Sequence, residues 1–401
     1  MNEMYGVFKK FANDNHHDAF AKALNSAYAT TETKKTLRQL HDEFGHYAQL
    51  AIHKDICYVA FMHNPGGHND DTSASGMGLG FATFPLERAL SDDFDYKKDV
   101  SLHRVGGIGS TFAGYKSRTG LVPQSLVLMG DLLYLVLGFE MEEEKQWGLF
   151  VNIYDTTKGE FIDEYQLNLD YKGQVSPYTF ESMNEIYEKE GYPKSDWSQM
   201  LVSHWNEYKG EFYTTIVIDS DHSSGIIFKT KDFKTIEFVD VVKGNLEGSC
   251  EVASGIFDGK MYIACRQTWA VPYLVFIRYD LETGAWTNPY KIEDGNSRPM
   301  FFVYHNEIFL FNTLEEPFGR RYSNISKVRT IKNAHNGKNA PINTIATLFE
   351  CGDHHVYCIY NDKIYFTATI QSRIHFGELK LKQFSPEKVN KKLLDLFGDV
   401  E

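Results

Sequence analysis

The chain has 401 residues, 42% of them hydrophobic and 14% aromatic, and a formal net charge of −13. The acidic excess disfavours a nucleic-acid phosphate partner, and no apolar run reaches membrane-spanning length, so no membrane insertion is expected. Five cysteines, odd in number and without metal-ligand spacing, argue against a disulfide framework.

Residues 1–45 read as a short N-terminal helical segment. Asp18–Tyr28 and Thr31–Phe44 carry apolar residues at helical spacing, and Gly45 stops the second run. The opening residues lack a signal-peptide core, which suits a cytoplasmic or phage-associated protein unless a leader has been removed.

From residue 46 onward one phrase recurs: an apolar strand, a tight polar turn, then a strand opening on an apolar residue and an aromatic. It is written at Tyr47–Tyr58, Pro123–Tyr134, Val202–Tyr213, Glu251–Tyr262, Ser297–Thr313 and His354–Tyr365. Each copy has a turn residue three positions before the aromatic: Asp55, Asp131, Gly210, Gly259, Asn306 and Asp362. Third strands are expected near Gly80, Gly148, Gly225, Tyr273, Arg321 and Arg373. Asp155–Phe161, Thr230–Phe238 and Asp280–Trp286 read as turns into fourth strands, with Asp bonding the turn backbone and Gly supplying a left-handed position where it occurs. Six units of four strands predict an all-β, six-bladed β-propeller over residues 46–386. Its last fourth strand is placed near Gln383–Pro386, and a helical tail over 387–401. Gly106–Gly109 reads as a flexible loop rather than a phosphate loop, flanked by His103, Arg104, Lys116 and Arg118, which are expected to line the axial funnel.

The repeated strand–turn–strand, the Arg298-Pro299 opening and the degenerate Asp-box-like turn Thr230–Asp232 resemble the sialidase-like (BNR/Asp-box) propeller superfamily. The resemblance covers roughly residues 46–385. It implies a glycan or polysaccharide partner and a site on the propeller axis. By that likeness Glu251 with Arg266 matches the family's Glu-then-Arg placement, Arg298 the third arginine, and Asp70 or Asp71 the acid/base aspartate. The family's first Arg motif is replaced by Gly45-His46-Tyr47, and His354 and His355 stand where its nucleophilic Tyr is expected.

Strand geometry independently puts the first-strand starts around the axis. They carry His46, Tyr47, Gln49, Gln124, His204, Glu251, Arg298, His354 and His355; loops on the same face carry His68, Asp70, Asp71, Trp269 and Arg321. Catalytic roles are expected of Asp70, Asp71, Glu251, His354, His355 and Tyr47. Substrate binding is expected of Arg266, Arg298, His46, Gln124, His204, Trp269, His68 and Arg321. No metal or other cofactor is expected, although His63, His68, Asp70 and Asp71 share a loop. Such parts suit a glycoside hydrolase acting on an acidic or modified glycan. They also suit a polysaccharide lyase using a His or Tyr base and an Arg clamp, or a glycan receptor without turnover.

Overall fold

A computed structural model describes residues 34–67, 71–195, 200–218, 225–243, 251–266, 274–292, 297–313, 325–330, 343–349 and 353–380. Side chains at 34–36, 200–201, 297–298, 325–330, 343–349 and 353 fall outside that description.

The turn chemistry decides the local structure. Five of the six recurring turns hold two consecutive residues at positive φ: Lys54-Asp55, Lys209-Gly210, Asp258-Gly259, His305-Asn306 and Asn361-Asp362. Two left-handed central residues define the tight hairpin turn whose twist matches that of its strands. In the sixth, Gly130 alone is left-handed. The aromatics that follow are buried, Tyr134 only in part; Tyr58, for example, lies 5.8 Å from Tyr154 of the next sheet, ring centre to ring centre.

The sheets make an all-β β-propeller. The first sheet runs Phe44–His53, Ile56–Asn64, Gly78–Pro85 and Ser101–Gly107 from the axis outward. The second runs Val122–Met129, Leu132–Met141, Gln146–Asp155 and Glu160–Gln166. Four-stranded sheets of the same order begin at Glu251 and Ser297. First strands of successive sheets touch, and Asp353–Tyr360 of the last sheet packs back against Phe44–His53 of the first.

One sheet departs from the four-stranded expectation. Between the second and fourth sheets, seven strands associate. The hairpin Asn168–Tyr171/Gln174–Pro177 adds to the outer edge of Thr235–Val241 by a parallel pairing. A helix, Phe180–Lys189, follows it. Thr179 accepts from Ser182 N–H and Ser182 returns the bond, so both first-turn donors are satisfied. Its Met183, Ile186 and Tyr187 are buried with Trp147 and Phe228 in one apolar cluster.

The last sheet shows how the ring closes. Its outer strand is Lys34–Gln39, antiparallel to Arg373–Lys380 with Lys34 opposite Lys380. This corrects the helix expected over Thr31–Phe44: Lys34–Gln39 and the residues from Phe44 on are strands. Leu37 is half-buried against a cluster containing Phe376 and Leu379, and that tertiary burial overrides the helical spacing. The fourth strand placed near Gln383–Pro386, the helix at 18–28 and the tail 387–401 lie outside the described residues.

The Asp turns are structural. Asp155 accepts from the N–H groups of Thr157 and Lys158, with Gly159 at φ 74°. Asp280 accepts from Glu282 and Thr283 N–H, with Gly284 at φ 69°. In the Asp-box-like turn, Asp232 accepts from Lys234 N–H and Thr230 from Phe233 N–H. The third strand expected near Arg321 begins at Ile325 among the described residues.

Candidate functional site

All the first strands but Glu251–Phe257 are interrupted where they reach the axis. Pairing slips between His46 and Gln49, Pro123 and Ser125, Ser297 and Met300, and Asp353 and Val356. In the seven-stranded sheet the first strand breaks outright at Ser203-His204-Trp205, between Met200–Val202 and Asn206–Tyr208. An extra residue in one strand bends it and re-aims a side chain. Tyr47 (φ 50°) and His354 (φ 48°) occupy the left-handed region, which costs a residue with a Cβ about 1–2 kcal/mol.

These distortions surround a narrow cavity of about 120 Å³. Every large sheet contributes to its wall: Tyr47 and Gln49, Gln124, His204, Glu251, Pro299, and His354 with His355. Beneath Tyr47 the rings form a compact trio. His46 and His354 have centroids 3.9 Å apart, and Tyr47 lies 4.6 Å from His46 and 4.3 Å from His354. His46 and His354 are both buried.

Gln124 is held by Val202, whose N–H donates to Oε1 at 3.0 Å. Its buried Nε2 has no partner among the described residues, so it is a donor available at the cavity. Burial pushes His204 down to about 4, so its imidazole is neutral near pH 7. The Ser203 and Ser254 hydroxyls meet at 2.9 Å and latch the two neighbouring first strands.

Glu251 is paired. Arg266 lies opposite it in register and donates from Nη1 to Oε1 at 2.9 Å, with its side chain 3% exposed. Arg266 does not line the cavity; it neutralises and orients Glu251 from behind. His355 lines the cavity but is packed between Phe311 and Phe366 at 4.1 and 5.4 Å. Tyr357 is buried behind it, stacked on Phe302 at 4.6 Å.

The loop after the first sheet's second strand supplies Asp71, which is exposed and engaged locally. Its Oδ1 accepts from Ser73 Oγ at 2.6 Å and Ser73 N–H at 2.9 Å, and these bonds hold its carboxyl below the usual range. Asp71 is therefore ionised near neutrality. His68, Asp70, Trp269 and Arg321 lie outside the described residues, as does the side chain of Arg298, whose backbone begins the strand Ser297–Tyr304. His103 and Arg104, expected at the axial funnel, instead line a separate pocket between the first two sheets.

Gln49, expected among the polar first-strand starts, does reach the axis, put there by the slip at His46; sequence reasoning missed the Ser203–Ser254 latch, which no motif announces. His63, read in the sequence as part of the loop with His68, Asp70 and Asp71, instead belongs to the strand Ile56–Asn64 and is buried, its Nε2 meeting Glu43 at 2.5 Å away from the cavity. Among the described residues no cluster of three His, Cys, Asp or Glu side chains suits a metal ion, and no helix is long and apolar enough to cross a membrane.

No family model matches the sequence, and no curated protein does. Solved structures match in shape. A sialidase from Trypanosoma rangeli aligns with a TM-score of 0.55 at 10% identity, over 90% of this chain and 58% of the sialidase. The chain thus spans less than two thirds of that enzyme. The endosialidase of phage phi92 aligns with a TM-score of 0.55 at 9% identity, over 88% of this chain and 70% of that one. A Dyadobacter fermentans protein of unknown function aligns with a TM-score of 0.60 at 10% identity, over 88% of this chain and all of that one. The fold is thus similar to that of the sialidase propellers.

Proposed function

We propose that this chain is a carbohydrate-active propeller of six blades, the seven-stranded sheet counting as one. In this reading its axial cavity binds an acidic or modified glycan and hydrolyses a glycosidic bond. The observation that carries the reading is the convergence of Tyr47, Gln124, His204, Glu251 and His354 on one cavity. Two of them, Tyr47 and His354, are held in a strained backbone region. Strain retained at a converging polar site is a pointer to function. The sialidase neighbours include one solved with sialic acid, which supports an acidic sugar as the first ligand class to test.

Each group then has a role its environment permits. Glu251, oriented by Arg266, activates Tyr47 or a water. The Gln124 amide donates to substrate hydroxyls. Arg298, at the start of its strand, is the cation assigned to the substrate carboxylate, because Arg266 is committed to Glu251. Asp71 is committed to Ser73, which leaves Asp70 as the acid that protonates the leaving oxygen. His68, Trp269 and Arg321 are assigned to substrate binding.

A second reading is β-elimination on a uronic acid. It is favoured by the His46–Tyr47–His354 trio, a phenol flanked by two imidazoles. The test is incubation with sialosides and with uronic-acid polymers. Hydrolysis yields new reducing ends without ultraviolet absorbance, and elimination yields an absorbing unsaturated product. Glu251→Gln and Tyr47→Phe each abolish whichever reaction occurs. Retention on a glycan array with neither product would show a receptor instead, and no glycan binding at all would refute the axial site.

A further inference from the structure

A cavity larger than the axial one lies off the axis. It lies between the first two sheets, has a volume of about 390 Å³, and shares no lining residue with the axial cavity. That volume is within the span of small-molecule sites, roughly 300–1,000 Å³.

Sheet register explains its lining. Phe81 and His103 are opposite one another on the first sheet. Asn152 and Glu164 are opposite on the second, as are Tyr154 and Phe161. All six side chains belong to residues that line the pocket. Their neighbours Val151 and Ile153 belong to the apolar cluster on the opposite face of the strand.

Asn152 is the unexpected member. It is 4% exposed in a strand whose other buried members are mostly apolar. Its side-chain amide makes no hydrogen bond with any described residue, so donor and acceptor both remain for a pocket occupant. Glu164 is only partly engaged: Ala113 N–H donates to its Oε1 at 2.8 Å, and its second oxygen remains. Phe81, Tyr154 and Phe161 pack on one another with centroids 4.9–5.1 Å apart. They form a continuous apolar wall rather than a cage with room for a cation.

The geometry points to a second glycan-binding pocket, taking a neutral pyranose unit, with Asn152 and Glu164 reading its hydroxyls and the Tyr154–Phe161 wall covering its C–H face. A carboxylate only accepts hydrogen bonds, so it suits vicinal hydroxyl donors; an amide both donates and accepts. Glu160 and Glu164 outnumber the one lining guanidinium, Arg104, whose Nη2 donates to the Gly76 carbonyl, so the lining disfavours an anionic sugar. The pocket is argued from its own lining and stands whether or not the axis is catalytic.

The test titrates the full chain with methyl glycosides of glucose, galactose, mannose and N-acetylglucosamine, read by ligand-observed NMR. At least one should bind saturably, with affinity falling tenfold or more in Asn152→Ala and in Glu164→Ala and unchanged in the axial variant Glu251→Gln. Glu164 is exposed, so Glu164→Ala decides the matter if Asn152→Ala fails to fold. Absence of saturable binding overturns the proposal. So does binding that survives Glu164→Ala, or binding lost in Glu251→Gln alone.

Discussion

His46 and His354, from the first and last sheets, stand with ring centroids 3.9 Å apart at the seam where the propeller closes. Tyr47 completes the trio, and both Tyr47 and His354 are left-handed. Asn is among the residues that enter that region at least cost. His354→Asn should therefore leave the unfolding free energy within about 1 kcal/mol of the parent. Axial glycan turnover should fall at least tenfold. Denaturant midpoints and product assays on the same preparation check this; a large stability loss would mean the trio is chiefly structural.

Arg266 gives the opposite pattern. Its removal leaves Glu251 without its counter-ion in a half-buried position, so Arg266→Ala should cost about 3 kcal/mol in unfolding free energy. The double variant Arg266→Met with Glu251→Leu should recover much of that loss. Urea unfolding of the parent, the single variants and the double variant measures the coupling. Additive single effects would contradict an interdependent pair.

Ring closure by Lys34–Gln39 predicts a remote consequence. Leu37→Asp puts a charge against Phe376 and Leu379 and should destabilise the chain by about 2 kcal/mol. Amides in Arg373–Lys380 should then lose hydrogen-exchange protection, although no residue there has changed. Unaltered exchange in that strand would contradict the pairing.

His41 makes stability depend on pH. Burial, then the nearby His63, His375 and Arg373, lower its pKa to about 3. Its Nε2 accepts from Ile374 N–H, a bond only the deprotonated nitrogen can make. The folded form therefore binds fewer protons than the unfolded form between about pH 6.5 and 3. Stability is full above 6.5 and falls as pH drops through that window, by up to about 5 kcal/mol for this one group. His204, lowered to about 4, adds a loss of the same sign. His41→Gln should flatten the midpoint-against-pH curve between pH 6.5 and 4, and an unchanged slope would count against this assignment.

Much of the ring was legible because its turns are written in residues that tolerate positive φ. Asp55, Gly210, Gly259, Asn306 and Asp362 all occupy that region. Axial crowding was legible for a related reason: first-strand starts carry polar residues where a plain core would carry none. Arg266 was legible as the arginine ending the strand after Glu251, and its pairing with Glu251 follows from the register about the Asp258-Gly259 turn. The closing strand was hidden by Leu37 and Leu40, whose spacing also fits a helix turn. The helix Phe180–Lys189 and its preceding hairpin break the repeat, and a search for recurring phrases passes over an insertion of that kind.

The pairing of Lys34–Gln39 with Arg373–Lys380 also has a meaning in time. Translation delivers the first partner long before the second. Until the distant strand emerges, the early segment has no sheet to join, and the edge of Arg373–Lys380 is in turn uncovered until the early segment reaches it. This pairing therefore cannot form before Arg373–Lys380 has been made, and a strand joined so late in synthesis is one that a second copy of the chain is able to supply by exchange.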